Sequence, residues 1–197
     1  KLGQLTLEEK VWRDAPSNVI IEAMLDGVEQ LGFFHSESAK TFLARVKMAG
    51  DKFPDMSDEK LMITRKTWLA PFLSGIKSAN DWKKFDTLKA LKSILTWDQT
   101  QLLEKLIPSY FITPLGRKIK VTYENKVPEI SIPIQEMYGQ KVHPKSGGIP
   151  IRVTFLSPAR REIQTTTDIV SFWGSTYKDV RKDMRGRYPK HFWPENP

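Results

Sequence analysis

Apolar side chains recur at helical spacing through residues 1–107 and then switch to alternation in short runs. Ile20, Ile21, Met24, Leu25, Val28 and Leu31 share one face of a helix that Pro16 opens and Gly32 ends. Ser36 caps a second helix that buries Phe42, Leu43 and Val46. Ser57 opens a third, with Asp58 and Glu59 at the positive end of its dipole. Pro71 must interrupt the apolar run Trp68, Leu69, Phe72 and Leu73. Leu88, Leu91 and Leu95 mark another helix, and Thr96 with Gln99 has capping-box spacing ahead of Leu102, Leu103, Leu106 and Ile107.

Beyond Pro108, the runs Tyr110–Thr113, Lys118–Tyr123, Glu129–Ile134, Ile149–Leu156 and Arg161–Thr166 are short, β-branched and bounded by Pro or Gly. Five such strands predict a small barrel or a strongly curved sheet. A last helix is expected from about Asp168, with a further turn opening near Ser175. Gly3–Glu9 also reads as strand-like. The fold class expected is α+β: a helical module over 1–107, an OB-like β-barrel over 108–166, then a basic helix and a Pro/aromatic tail over 167–197.

Charge sharpens this division. Residues 1–107 hold 16 Lys/Arg against 15 Asp/Glu, whereas 108–197 hold 15 against 8, a surplus of 7 within the total of +8. A cationic surplus confined to one part of a chain fits either a polyanionic partner or a plain solvated surface. The absence of cysteine excludes disulfides, thiolate catalysis and cysteine-ligated zinc, and fits a reducing cytoplasm. No apolar run is long enough to span a membrane. The chain begins at Lys1 rather than Met and is taken as part of something longer.

Catalytic signatures are lacking. His35, His143 and His191 have no metal-ligand spacing. The stretch Gly139–Ser146 imitates a phosphate-binding loop, but Pro144 replaces the second glycine and removes a backbone N–H. Gly174-Ser175 lacks the flanks of a nucleophile elbow.

Binding chemistry is better represented. On a helix over Thr176–Arg185, Lys178, Arg181, Lys182 and Arg185 fall within an arc of about 100°, beside an apolar stripe of Tyr177, Val180 and Met184. Four aligned cations can neutralise phosphates, or can be balanced in solvent by Asp179 and Asp183. Gly186 suits a helix C-cap. Past it, Arg187, Lys190 and His191 interleave with Tyr188, Phe192 and Trp193, a pattern open to base stacking or to packing back on the chain's own core. Lys118 and Lys120 alternate with Ile119 and Val121 on one strand, and Arg160 and Arg161 form a loop pair.

The segments Thr154–Ala159, Thr167–Trp173 and Tyr177–Pro194 resemble the closing region of the bacterial HrpB helicases. Trp68–Leu73, Ile134–Gly139 and the stretch Leu43–Ala49 resemble the same family in the same order. Relatives generally end Tyr-Pro-Lys-His-Pro-Trp-Pro, and Phe192 stands here in place of a proline. The resemblance implies a DEAH-like superfamily 2 enzyme that couples ATP hydrolysis to movement on RNA. Its RecA-like domains, with their ATP and Mg, would lie upstream in the same polypeptide, since none of their motifs occurs in this chain. The resemblance therefore implies a non-catalytic accessory region, itself without a cofactor, that touches the backbone of single-stranded RNA. The competing expectations are a module recruiting a protein partner and a free-standing RNA-binding protein.

Overall fold

A computed structural model describes residues 14–123 and 127–197. The strand-like stretch Gly3–Glu9 lies outside the described residues. Packing groups the chain into two units. One comprises residues up to Ala39 together with Met56–Ile94; the other comprises Lys40–Asp55 and Leu95–Pro197.

The first unit is helical. Helix α1 (Ser17–Leu31) follows Pro16 and stops at Gly32, whose φ of 74° few other residues adopt and whose N–H returns to the Val28 carbonyl. Its face of Met24, Leu25 and Val28 is buried, as the spacing predicts. Ser36 caps α2 (Glu37–Ala49) by accepting from the Ala39 N–H at 3.2 Å, and Ser57 caps α3 (Asp58–Ile63) by accepting from that of Lys60. Pro71 has the predicted effect: α4 (Arg65–Trp68) gives way to a 3-10 turn over Ala70–Phe72. Helix α5 (Ala79–Lys84) is not among the expected helices; Ser78 caps it by accepting from the Asp81 N–H. Trp82 on that helix is buried and donates from its indole to the Gly32 carbonyl at 3.0 Å. Helix α6 (Leu88–Lys92) completes the unit.

The second unit combines helices with short strands. Most of α2 lies here, and Arg45 on it is buried, donating from Nε to the Ile107 carbonyl at 2.7 Å and pairing with Glu104 at 2.7 Å. Helix α7 (Trp97–Leu106) opens with the predicted capping box: the Thr96 hydroxyl accepts from the Gln99 N–H while the Gln99 side chain accepts from that of Thr96. Strands β1 (Tyr110–Ile112) and β2 (Lys118–Lys120) form an antiparallel hairpin. Strand β3 (Glu129–Pro133) pairs in parallel with β6 (Arg152–Leu156), which pairs antiparallel with β7 (Glu162–Thr166). A two-residue ladder joins β4 (Lys145–Ser146) to β5 (Ile149–Pro150).

The fold is thus α+β, but the described strands do not close into the barrel expected from the sequence. They form three small sheets, and a single isolated bridge, Thr122 to Glu129, links the end of the β2 segment to β3. Strand length and proline explain the shortfall. No described strand exceeds five residues, and Pro133 and Pro150 end β3 and β5 without an N–H to continue a ladder. Ile130, Ile132, Val153 and Phe155 alternate inward and are buried. Helix α8 (Ile169–Gly174), which begins where expected and is capped by Asp168, covers them by stacking Phe172 on Phe155 at 4.7 Å. His143 holds the start of that helix: its Nδ1 accepts from the Ile169 N–H at 3.1 Å, so its Nε2 carries the proton donated to the Ile151 carbonyl at 2.8 Å.

Candidate nucleic-acid interface

Helix α9 spans Tyr177–Arg187, ending two residues later than expected, so Gly186 lies inside the helix and the cap falls at Tyr188. Tyr177 and Met184 are buried on its apolar stripe. Around the helix, Arg181 sits only about 40° from Tyr177, at the edge of the cationic arc, and Arg187 about 40° from Asp183. Those angles decide their partners. Arg181 donates from Nε to the Trp193 carbonyl at 3.0 Å and from Nη2 to Glu195 at 3.0 Å. Arg187 pairs with Asp183 at 2.9 Å across one helical turn. Lys178, Lys182 and Arg185, on the rest of the arc, are exposed and make no ion pair among the described residues. Lys190 in the tail is exposed as well.

The tail divides in the same way. Trp193 is buried and donates from its indole to the Tyr188 carbonyl at 3.0 Å, while the Tyr177 hydroxyl donates to the Pro194 carbonyl at 3.0 Å. The Tyr138 and Tyr177 hydroxyls lie 3.4 Å apart, and burial pushes both above the ordinary phenol range, so both remain protonated. Trp193 thus packs back on its own core. Phe192 is 72% exposed, with its ring edge-on to Tyr138.

On the β1–β2 hairpin, cross-strand register puts Lys120 opposite Tyr110 and Lys118 opposite Ile112. Residues directly opposite in an antiparallel pair share one side of the sheet, so these four side chains form a single outward face. Tyr110 and Ile112 are each 52% exposed, and Leu115 at the turn is exposed too. The two lysines are legible from strand alternation, but the exposure of these apolar neighbours depends on a register that spacing within one strand does not reveal. The hairpin is anchored from behind. Thr113 is buried, and the Arg117 guanidinium pairs with the buried Glu136 at 2.9 Å. Gly116, at φ 80°, closes the turn by donating to the Thr113 carbonyl.

Arg160 and Arg161 occupy the tight turn between β6 and β7, where Arg160 holds a positive φ of 61° and the buried Ser157 hydroxyl accepts from the Arg161 N–H. Both side chains are exposed. The candidate cations therefore lie on four separate parts of the chain: a strand, a turn, a helix and the tail. Among the described residues, no group of three His, Asp or Glu side chains is placed to hold a metal ion, and no helix is long and apolar enough to cross a membrane.

Residues 68–197 match the family described as ATP-dependent helicase C-terminal, the HrpB C-terminal family. This chain belongs to that family. It is similar over its whole length, at 32% identity, to the ATP-dependent RNA helicase HrpB of Escherichia coli strain K12, covering 26% of that protein. Among solved structures, it is similar to the E. coli DExH-box NTPase HrpB, with a TM-score of 0.85 at 32% identity over 100% of this chain and 26% of that one. The E. coli DEAH/RHA helicase HrpB superposes with a TM-score of 0.75 at 30% identity, over 98% of this chain and 26% of that one. The chain thus spans about a quarter of the HrpB proteins it matches. Its α+β fold superposes on that part of the HrpB structures.

Proposed function

We propose that this region is the non-catalytic accessory part of an ATP-dependent RNA helicase and contributes sequence-independent contacts to single-stranded RNA. RecA-like domains upstream in the same cytoplasmic polypeptide would bind ATP and Mg and supply the motor. The short sheets of the second unit would act as an open relative of the oligonucleotide-binding barrel. The observation that carries the reading is the set of exposed α9 cations, Lys178, Lys182 and Arg185, left without a counter-charge among the described residues while their neighbours Arg181 and Arg187 are paired. Cations left unpaired on one face are available to phosphates, whose binding releases counterions. Lys118, Lys120, Arg160, Arg161 and Lys190 would extend the same sequence-blind contact, and membership of the HrpB C-terminal family supports RNA as the polyanion.

The test is an anisotropy titration of a single-stranded oligoribonucleotide at several salt concentrations. Three phosphate contacts contribute about 2 to the log–log salt slope. The triple variant Lys178→Ala, Lys182→Ala, Arg185→Ala should therefore bind more weakly and with a slope flatter by about that amount. A variant whose slope matches the parent's removes α9 from the RNA path.

A further inference from the structure

The hairpin face bears chemistry that phosphate contact alone does not require. A solvated strand surface carries polar side chains, yet here an aromatic ring and a branched aliphatic chain, each 52% exposed, stand opposite two lysines. Leu115, 66% exposed, continues the apolar surface at the turn. Lysines alternating with apolar groups match a partner that alternates charge with flat apolar faces, which is how a single-stranded nucleic acid presents its phosphates and bases. The scaffold is also fixed in advance. The opposite side of the hairpin buries Val121 and Thr113, and the Arg117–Glu136 pair holds the turn, so Tyr110 is presented from a backbone that binding need not order.

We propose that the outward face of the β1–β2 hairpin is a base-stacking platform for single-stranded RNA, with Tyr110 stacking a base, Ile112 and Leu115 extending the apolar surface, and Lys118 and Lys120 contacting the flanking phosphates. This rests on the RNA reading above and adds a distinct chemistry to it: α9 touches only the backbone, whereas the hairpin holds bases. Stacking tolerates any base, so the platform stays blind to sequence.

The experiment uses the full-length polypeptide, with Tyr110→Ala, Tyr110→Phe and the pair Lys118→Ala, Lys120→Ala. Each is titrated against an oligouridylate and against an abasic ribose-phosphate strand of the same length. Tyr110→Ala is expected to weaken oligouridylate binding at least about fivefold and to leave abasic-strand binding unchanged. Tyr110→Phe should retain parental affinity, because the ring and not the hydroxyl does the stacking. The double lysine variant should weaken both strands and flatten the salt slope by about 1.4. Photocrosslinking with 4-thiouridine in the strand should label the hairpin over residues 110–120. Equal affinity of Tyr110→Ala and parent for oligouridylate, or no crosslink in that stretch, overturns the platform. So does a lower melting temperature of Tyr110→Ala without an RNA effect, which assigns the face to packing against upstream residues. The two readings fail separately: loss of RNA affinity on α9 substitution with none at Tyr110 sinks only the platform, and unaltered binding in every variant sinks both.

Discussion

The Nε of Arg181 donates to the carbonyl oxygen of Trp193 across 3.0 Å, binding helix α9 to the segment that follows it. The same guanidinium reaches Glu195, and the indole of Trp193 closes the loop on the Tyr188 carbonyl. An arginine on the cationic arc of α9 is thereby committed to holding the tail.

Replacing Arg181 with alanine should therefore be felt in stability before it is felt in RNA affinity. A hydrogen bond from a charged group to a partly buried carbonyl is worth about 1.5–3 kcal/mol, and the exposed Glu195 adds little. Thermal melting should show Arg181→Ala lowered by roughly 3–12 °C. The salt slope for RNA should stay near the parental value. A marked flattening of that slope would show that Arg181 leaves the tail to meet phosphate.

A second expectation concerns Gly147, which has φ at 58° and donates to the Leu106 carbonyl at 2.8 Å. A Cβ at this position would come within 2.5 Å of Ile107 Cδ1. Gly147→Ala meets both a disfavoured backbone conformation and a crowded core, together about 2–3 kcal/mol. Gly148 also has a positive φ, 80°, but a Cβ there meets no atom within 4 Å. Gly148→Ala should cost only the backbone part, about 1 kcal/mol. Urea denaturation of the two variants checks the ordering, and equal midpoints would contradict it.

Acid should loosen the second unit through Glu104. Burial alone pushes its carboxyl upward, but the Ser109 hydroxyl and N–H and the Arg45 guanidinium together outweigh that and hold it below the ordinary glutamate value. A carboxylate with a lowered folded pKa stabilises the fold above its unfolded pKa, near 4.5, and that contribution disappears as pH falls through the folded value. Parent and Glu104→Gln should thus differ most at pH 6–7 and converge only once pH has fallen well below 4.5. A difference in melting temperature that stays constant across that range would exclude Glu104 as the titrating group. The side chain is nearly half exposed, so solvent screening keeps the effect modest.

Local signals with a short reach were the ones legible in the sequence. The capping residues Ser36, Ser57 and Thr96 each act on an N–H three residues ahead, and Pro71 interrupts the apolar run it sits in. Four features depended on something farther away. Gly186 remains helical, and Arg187 beyond it pairs back to Asp183. Of the cations on the α9 arc, Arg181 at its edge is taken up by the tail, which lies beyond the helix. The exposed apolar partners of Lys118 and Lys120 follow from antiparallel register. Closure of the strands into a barrel was inferred from their number, whereas closure depends on edges that meet, and prolines end two of these strands.

The buried Arg45 has a practical consequence for anyone dissecting the chain. Its guanidinium serves the Ile107 carbonyl and Glu104 from more than fifty positions upstream, and packing places 40–55 with 95–197. A contiguous cut near residue 95 would strip that carbonyl of its donor and leave Glu104 without its counter-ion. Minimal versions meant for NMR or crystallisation should instead splice 40–55 ahead of 95–197 through a short linker.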